Sequence, residues 1–170
     1  MQELLDTVNE KDEIIGQISR QELSRDPRAI VRMVGVLVTR PEDGKALLQL
    51  RHRRKELYPS HWTLSATGHV QSGEGYHDAA KRELEEEVGI LSDNLIFMRK
   101  ELLSYDGVQR WWEFFRCVSE AVPVIQASEV ERVEYVDLET NGDSMLLPTM
   151  KNISPSLRFY LQVIMTDHKE

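Results

Sequence analysis

The chain has one cysteine, Cys117, in 170 residues, so an internal disulfide is excluded. That suits a reducing compartment such as the cytoplasm, and the fold must hold without covalent staples. Long apolar runs are missing too. The longest clean one, residues 34–38, is far too short to cross a bilayer. The N-terminus, MQELLDTVNEKDE, is acidic and has no apolar centre, so it does not read as a signal peptide. Basic charge is scarce, with 21 Lys and Arg against 29 Asp and Glu and a formal net charge of -8. Such a surface opposes non-specific nucleic-acid binding, which needs a basic face to displace counterions. Any bound polyanion would need a local basic patch or a metal ion. No repeat or low-complexity tract is visible. The length fits one domain spanning residues 1–170, with enough chain to bury a single core.

What is present alternates between strand and helix signals. Residues 3–8 and 13–18 flank a polar turn and read as an N-terminal hairpin within residues 1–29, followed by a short helical patch, RQELSRD. Residues 30–39 are rich in β-branched side chains and read as a central strand. Pro41-Glu42-Asp43-Gly44 is a turn, and residues 46–51 are the return strand. The loop 52–60 holds the only dense basic cluster, and residues 62–70 read as extended with a turn at Gly68. Residues 76–88 read as a helix ended by Gly89. Strands are expected at 95–102, 110–118 and 131–136, and a helix from Ser154 to about Met165 with Leu157, Tyr160, Leu161 and Ile164 on one stripe. The fold class is therefore α/β, with helices layered on a mixed sheet.

The helix at 76–88 carries the chemistry. At about 100° per residue, with Glu83 at the origin, Glu86 falls near 300° and Glu87 near 40°, while Glu85 points away near 200°. Three carboxylates on one stripe repel one another, by roughly 0.2–0.5 kcal/mol per exposed pair and more when partly buried. A hard divalent cation such as Mg2+ removes that cost, because it prefers oxygen ligands and bridges carboxylates to substrate phosphates. Ala80, Leu84 and Val88 form an apolar row for docking on the sheet. Ala79 and Ala80 lie on or beside the acidic stripe, where small side chains leave room for a ligand.

Residues 68–90, GHVQSGEGYHDAAKRELEEEVGI, resemble the Nudix box. That pattern is a glycine, five residues, a glutamate, seven residues, and Arg-Glu-aliphatic-x-Glu-Glu-x-Gly-aliphatic. Gly68, Glu74, Arg82, Glu83, Leu84, Glu86, Glu87, Gly89 and Ile90 meet every specified position. At ordinary residue usage a chance match is on the order of 10⁻⁹ per starting point. The resemblance implies an α/β/α sandwich and a hydrolase that cuts the diphosphate of a nucleoside diphosphate linked to a group X. It implies that Glu83, Glu86 and Glu87, with the Gly68 carbonyl, hold Mg2+ or Mn2+. Arg82 would orient the carboxylates and Glu74 would support the loop. The partner is then a small-molecule diphosphate, with neither nucleic acid nor membrane; a homodimer is left open.

The flanks, LLQLRHRRKELYPSHWTLSATGHV with the N-terminal hairpin, look like the isopentenyl-diphosphate isomerase branch and its hydrolase-like relatives. The isomerase pattern has a cysteine just before the box glycine, where Thr67 stands here, and histidines before His52, where there are none. A threonine hydroxyl does not ionise near neutral pH. The hydrolase reading therefore leads, with an isomerase or a non-catalytic nucleotide-binding domain as alternatives. Further candidates are Glu113, on one face of a strand with Trp111 and Phe115, as a metal ligand or general base; Arg51, Arg53, Arg54 and Lys55 as phosphate grips; and His69 as a phosphate donor or a turn cap. Glu129, Glu131 and Glu134 are rival bases. Trp62 and Trp111 are rival stacking or core residues, and Cys117 reads as a buried strand residue.

Overall fold

A computed structural model describes residues 3–138 and 152–164. β1 (Leu4–Val8) and β2 (Ile14–Ser19) form the N-terminal hairpin. Its turn is closed by the Asn9 side chain, which accepts from the backbone N–H groups of Lys11 and Glu13 at 2.9 and 3.0 Å. Ser19 then caps the short helix α1 (Arg20–Arg25) in a reciprocal box with Glu22, satisfying orphan donors at both positions.

β3 (Val31–Thr39) is the spine of a nine-stranded mixed sheet. One edge runs parallel to β8 (Val108–Val118) along its whole length. The other edge meets β6 (Ala66–His69) at residues 33–36 and then β4 (Ala46–Arg51) at residues 38–39, both antiparallel. β4 also pairs with β5 (Trp62–Thr63) and β9 (Val130–Val136), and β8 pairs with β7 (Ile96–Tyr105).

Strand alternation separates two cores. Val34, Val36 and Val38, with Phe115 and Cys117, pack against Ala79, Ala80, Leu84 and Val88 of α2 (Tyr76–Val88). Leu37, Trp112 and Phe114 pack on the opposite face against Leu157, Tyr160 and Leu161. These belong to α3 (Pro155–Phe159) and the π-helical turn Tyr160–Ile164 that continues it. The expected helix–sheet–helix layering is thus present, with few helices. The Ile164 side chain and Met165 lie outside the described residues.

Three local expectations change. Residues 62–70 break into β5 and β6, and Gly68 lies within β6 opposite Val34 instead of at a turn. The chain reverses later, at Gly73, whose φ is +78°. Ala79 and Ala80 are fully buried in the sheet-facing core, so they open no space for a ligand. The strand at 95–102 runs on to Tyr105, because it forms a long antiparallel ladder with β8, with a register shift between Phe97 and Arg99, closed by Asp106-Gly107 at positive φ.

Candidate active site

A cavity of about 790 Å³ opens between the acidic stripe of α2, the end of β6, the loop after β4 and the first turn of α1. The box supplies one wall. Gly89, with φ +66°, ends α2 and donates its N–H to Glu85 and Leu84 carbonyls. Glu83 and Glu87, four residues apart, face the cavity and are 9% and 4% exposed, while Glu86 stands at the wetter rim.

Arg82 ties this wall together. Its Nε and Nη2 donate to the two carboxylate oxygens of Glu74, each at 2.9 Å, in a forked pair. Nη2 also donates to the His69 carbonyl at 2.9 Å, and Nη1 reaches Glu83 at 2.6 Å and Glu86 at 3.3 Å. Glu74 in turn accepts from the Gln71 N–H at 2.9 Å, which pins the loop before the helix. Glu87 accepts from the Thr67 N–H at 2.9 Å and from Gln49 Nε2 at 2.6 Å. Gln49, fully buried on β4, gave no signal in the sequence.

Burial and mutual repulsion push the carboxyl group of Glu83 up to about 8, against the pull of Arg82. Burial pushes Glu87 up to about 7, despite its two hydrogen bonds and the nearby Arg51 and Lys55. A β-carbon on Gly68 would sit 1.9 Å from the Glu83 carboxyl carbon, so the carboxylate lies flat on the strand only because residue 68 is glycine. This donor set fits a hard divalent ion. Two buried carboxylates resist ionisation until a cation joins them, and a glycine lets one of them reach the strand backbone. Among the described residues, no three His, Cys, Asp or Glu side chains close into a cage by themselves. That is compatible with Mg2+, which keeps waters and shares its shell with substrate phosphates.

The other wall is basic. Arg51, Lys55 and His69 line it, together with Arg20 and Arg110, neither of which was a sequence candidate. Arg51 Nε donates to the Leu57 carbonyl at 3.1 Å, and Glu87 and Glu129 draw its charge toward the box. Lys55 pairs with Glu129, which also lines the cavity. His69 is 6% exposed, its Nδ1 in contact with Arg20 Nη1. Burial and the cations Arg20, Arg110, Lys55 and Arg51 hold it well below the ordinary histidine range, so the ring is neutral.

Several candidates are not brought here. Glu113 does not line the cavity; it lies opposite Val34 on β8 and pairs with Lys100 at 3.3 Å, beside the Asp12–Tyr76 contact. Burial raises its pKa, as expected for a half-buried carboxylate. Arg53 and Arg54 are exposed and outside the cavity, as is Glu131; Glu134 pairs with Arg132 at 3.2 Å. Trp62 is buried in the α3-side core, and Trp111 donates its indole N–H to the Asn9 carbonyl at 3.0 Å. The tryptophan that lines the cavity is their neighbour Trp112. Cys117 is fully buried.

A model of the NUDIX domain matches residues 30–157, three quarters of the chain. The chain belongs to the Nudix family. It is 34% identical over 160 residues to an uncharacterized Nudix hydrolase of Pseudomonas aeruginosa, covering 94% of each chain. It is also 34% identical over 142 residues to a Nudix hydrolase of Deinococcus radiodurans, covering 81% of this chain and 80% of the relative. Among solved structures, a Deinococcus radiodurans crystal structure superposes with a TM-score of 0.61 at 31% identity, covering 79% of this chain and 83% of that one. A MutT protein of Methanosarcina mazei superposes with a TM-score of 0.71 at 18% identity, over 84% of this chain and 98% of that one, which speaks to the fold. The protein is thus a Nudix hydrolase, acting on pyrophosphate bonds. The matched relatives are hydrolases and bring no support for an isomerase.

Proposed function

We propose that this Nudix hydrolase cleaves the diphosphate of a nucleoside diphosphate derivative, with Mg2+ or Mn2+ held by Glu83, Glu87 and the Gly68 carbonyl and approached by Glu86. The observation that carries this reading is the burial of Glu83 and Glu87 side by side against a glycine strand. When bound, the metal would polarise a phosphoryl oxygen and neutralise charge on the leaving phosphate. Arg82 keeps the glutamates in register. Arg51, half-buried and under the pull of the Glu87 charge, grips a phosphate oxygen on the same side, and neutral His69 donates to another. The reaction adds water across the bridge. The water oxygen bonds to one phosphorus, the bridging P–O bond breaks, and the water's proton passes to a carboxylate. Glu86 is the best placed to take it, because it alone of the three reaches bulk solvent and can discharge the proton. Glu113 has no part in this scheme, since its carboxylate is paired outside the cavity.

The test is hydrolysis of a panel of nucleoside diphosphate derivatives with Mg2+ or Mn2+, read as phosphate released by a coupled phosphatase. A signal that disappears on chelation supports the reading. Silence across the panel, with tight calorimetric binding, would turn it into a binding domain. Deuterium uptake into isopentenyl diphosphate would turn it into an isomerase.

A further inference from the structure

Among the described residues, two of the cations that line the cavity, Arg20 and Arg110, form no ion pair with the box carboxylates. Arg110 is only 6% exposed yet lines the cavity. Its Nη1 is held by three backbone carbonyls, those of Pro27, Ala29 and Gln109, at 3.1, 3.0 and 2.7 Å. Nε and Nη2, which carry three of the five guanidinium N–H donors, make no hydrogen bond to the described protein, and no described carboxylate pairs with the side chain. Open to the cavity, those donors are free to make charge-assisted hydrogen bonds to an anion.

Its surroundings sharpen the point. No carboxylate is among the groups acting on Arg110, where Arg20 is the nearby charge, whereas Glu87 and Glu129 as well as Arg20 act on Arg51. Arg20 has a single carboxylate near it, Glu3, at the marginal distance of 4.0 Å. Asp106, at the rim, is occupied by the Tyr58 hydroxyl. Two arginines therefore face one end of the cavity with little neutralisation, in a protein whose net charge is -8. Arg110 is set by backbone, through its three carbonyls, while Arg20 projects from the capped first turn of α1 and rests on His69. The forked donors of arginine match the planar oxygens of a carboxylate or the face of a phosphate.

We propose that Arg110 and Arg20 form an oxyanion subsite, and that one of the groups flanking the substrate's diphosphate carries its own phosphate or carboxylate. This rests on the hydrolase reading above and narrows its substrate class.

The experiment compares pairs that differ by one anionic group: NADPH against NADH for a phosphate, and UDP-glucuronate against UDP-glucose for a carboxylate. Hydrolysis with Mg2+ gives kcat/KM, and calorimetry without added metal gives affinity. The wild type favours one anionic member by about tenfold or more, mostly through KM. In Arg110→Gln and in Arg20→Gln the ratio falls toward unity, and Arg110→Lys, which keeps the charge but not the fork, lies between. Arg20→Gln touches no carbonyl anchor, so it answers the question even where Arg110→Gln fails to fold. A wild-type ratio near one in both pairs, or a preference that survives both glutamine variants, overturns the subsite. Discrimination in calorimetry without turnover of any compound supports the subsite and overturns the hydrolase reading instead.

Discussion

The two walls of the cavity were built in different ways. The acidic wall is local: Gly68, Glu74, Arg82, Glu83, Glu86 and Glu87 come from one stretch of chain, and one arginine bonds three of the glutamates. The basic wall is assembled from afar. Arg20 comes from α1, Arg51 and Lys55 from the end of β4 and its loop, and Arg110 from β8. The acidic wall is also internally tied, whereas two cations of the basic wall have donors to spare. The contrast teaches that a wall of carboxylates can be written in one short motif, while the cations facing it depend on the packing of distant elements.

Several experiments would break or sharpen that contrast. The largest effect is expected from Glu83→Gln, which should lower kcat by about 10³-fold or more, in line with several kcal/mol of lost charge stabilisation. A loss under tenfold would mean that the acidic wall is not where the bond is cut. Gly68→Ala should come next, at about 100-fold, with the fold kept. The new methyl meets the mobile end of Glu83, not backbone, so the carboxylate is what moves. Circular dichroism alongside the assay separates the two. Arg82→Lys should weaken metal affinity by roughly 10–100-fold, since a lysine cannot reproduce the fork to Glu74 while reaching Glu83.

The pH dependence of stability tests the same wall without substrate. Glu83 and Glu87 sit near 8 and 7 in the folded chain, above the ordinary carboxylate range, so the folded state holds more protons than the unfolded one between about pH 4.5 and 8. Their contribution to stability is therefore fully present at low pH and is lost as pH rises through 7 and 8. Metal-free protein should melt lower at pH 8.5 than at pH 6 for this reason, Mg2+ should recover the difference, and Glu83→Gln should reduce it. A metal-free melting temperature that climbs over this range with no response to Mg2+ would deny the pair its strain. The smallest effects belong to Arg53→Ala and Glu113→Gln, each under about twofold in kcat/KM, because the first is solvated and the second is paired outside the cavity.

The acidic wall was legible because helical periodicity is a short-range rule. Spacing alone puts Glu83, Glu86 and Glu87 on one stripe and Ala80, Leu84 and Val88 on the row that meets the sheet, and the latter are fully buried. The same rule could not say that Glu83 and Glu87 would be buried and Glu86 left at the rim, since that depends on where β6 passes. Strand alternation likewise separated Trp111, Glu113 and Phe115 from Trp112 and Phe114. It gives no sign of which face reaches the cavity: the sequence singles out Trp62 and Trp111, and the tryptophan that lines the cavity is Trp112.

By itself, then, the order of residues determined the family, the layered α/β class and the position of the glutamate-rich helix, because each is written in contiguous pattern. Only the tertiary structure decided that Gly68 is a strand residue making room for a carboxylate, that Arg53 and Glu113 stay outside, and that Arg20 and Arg110 line one cavity. Their sequence separation of ninety positions is closed by the hairpin folding onto β3 and by β8 lying parallel to it. No local rule of spacing reaches across that distance, because the two are brought to one cavity by sheet order and not by the period of any one element.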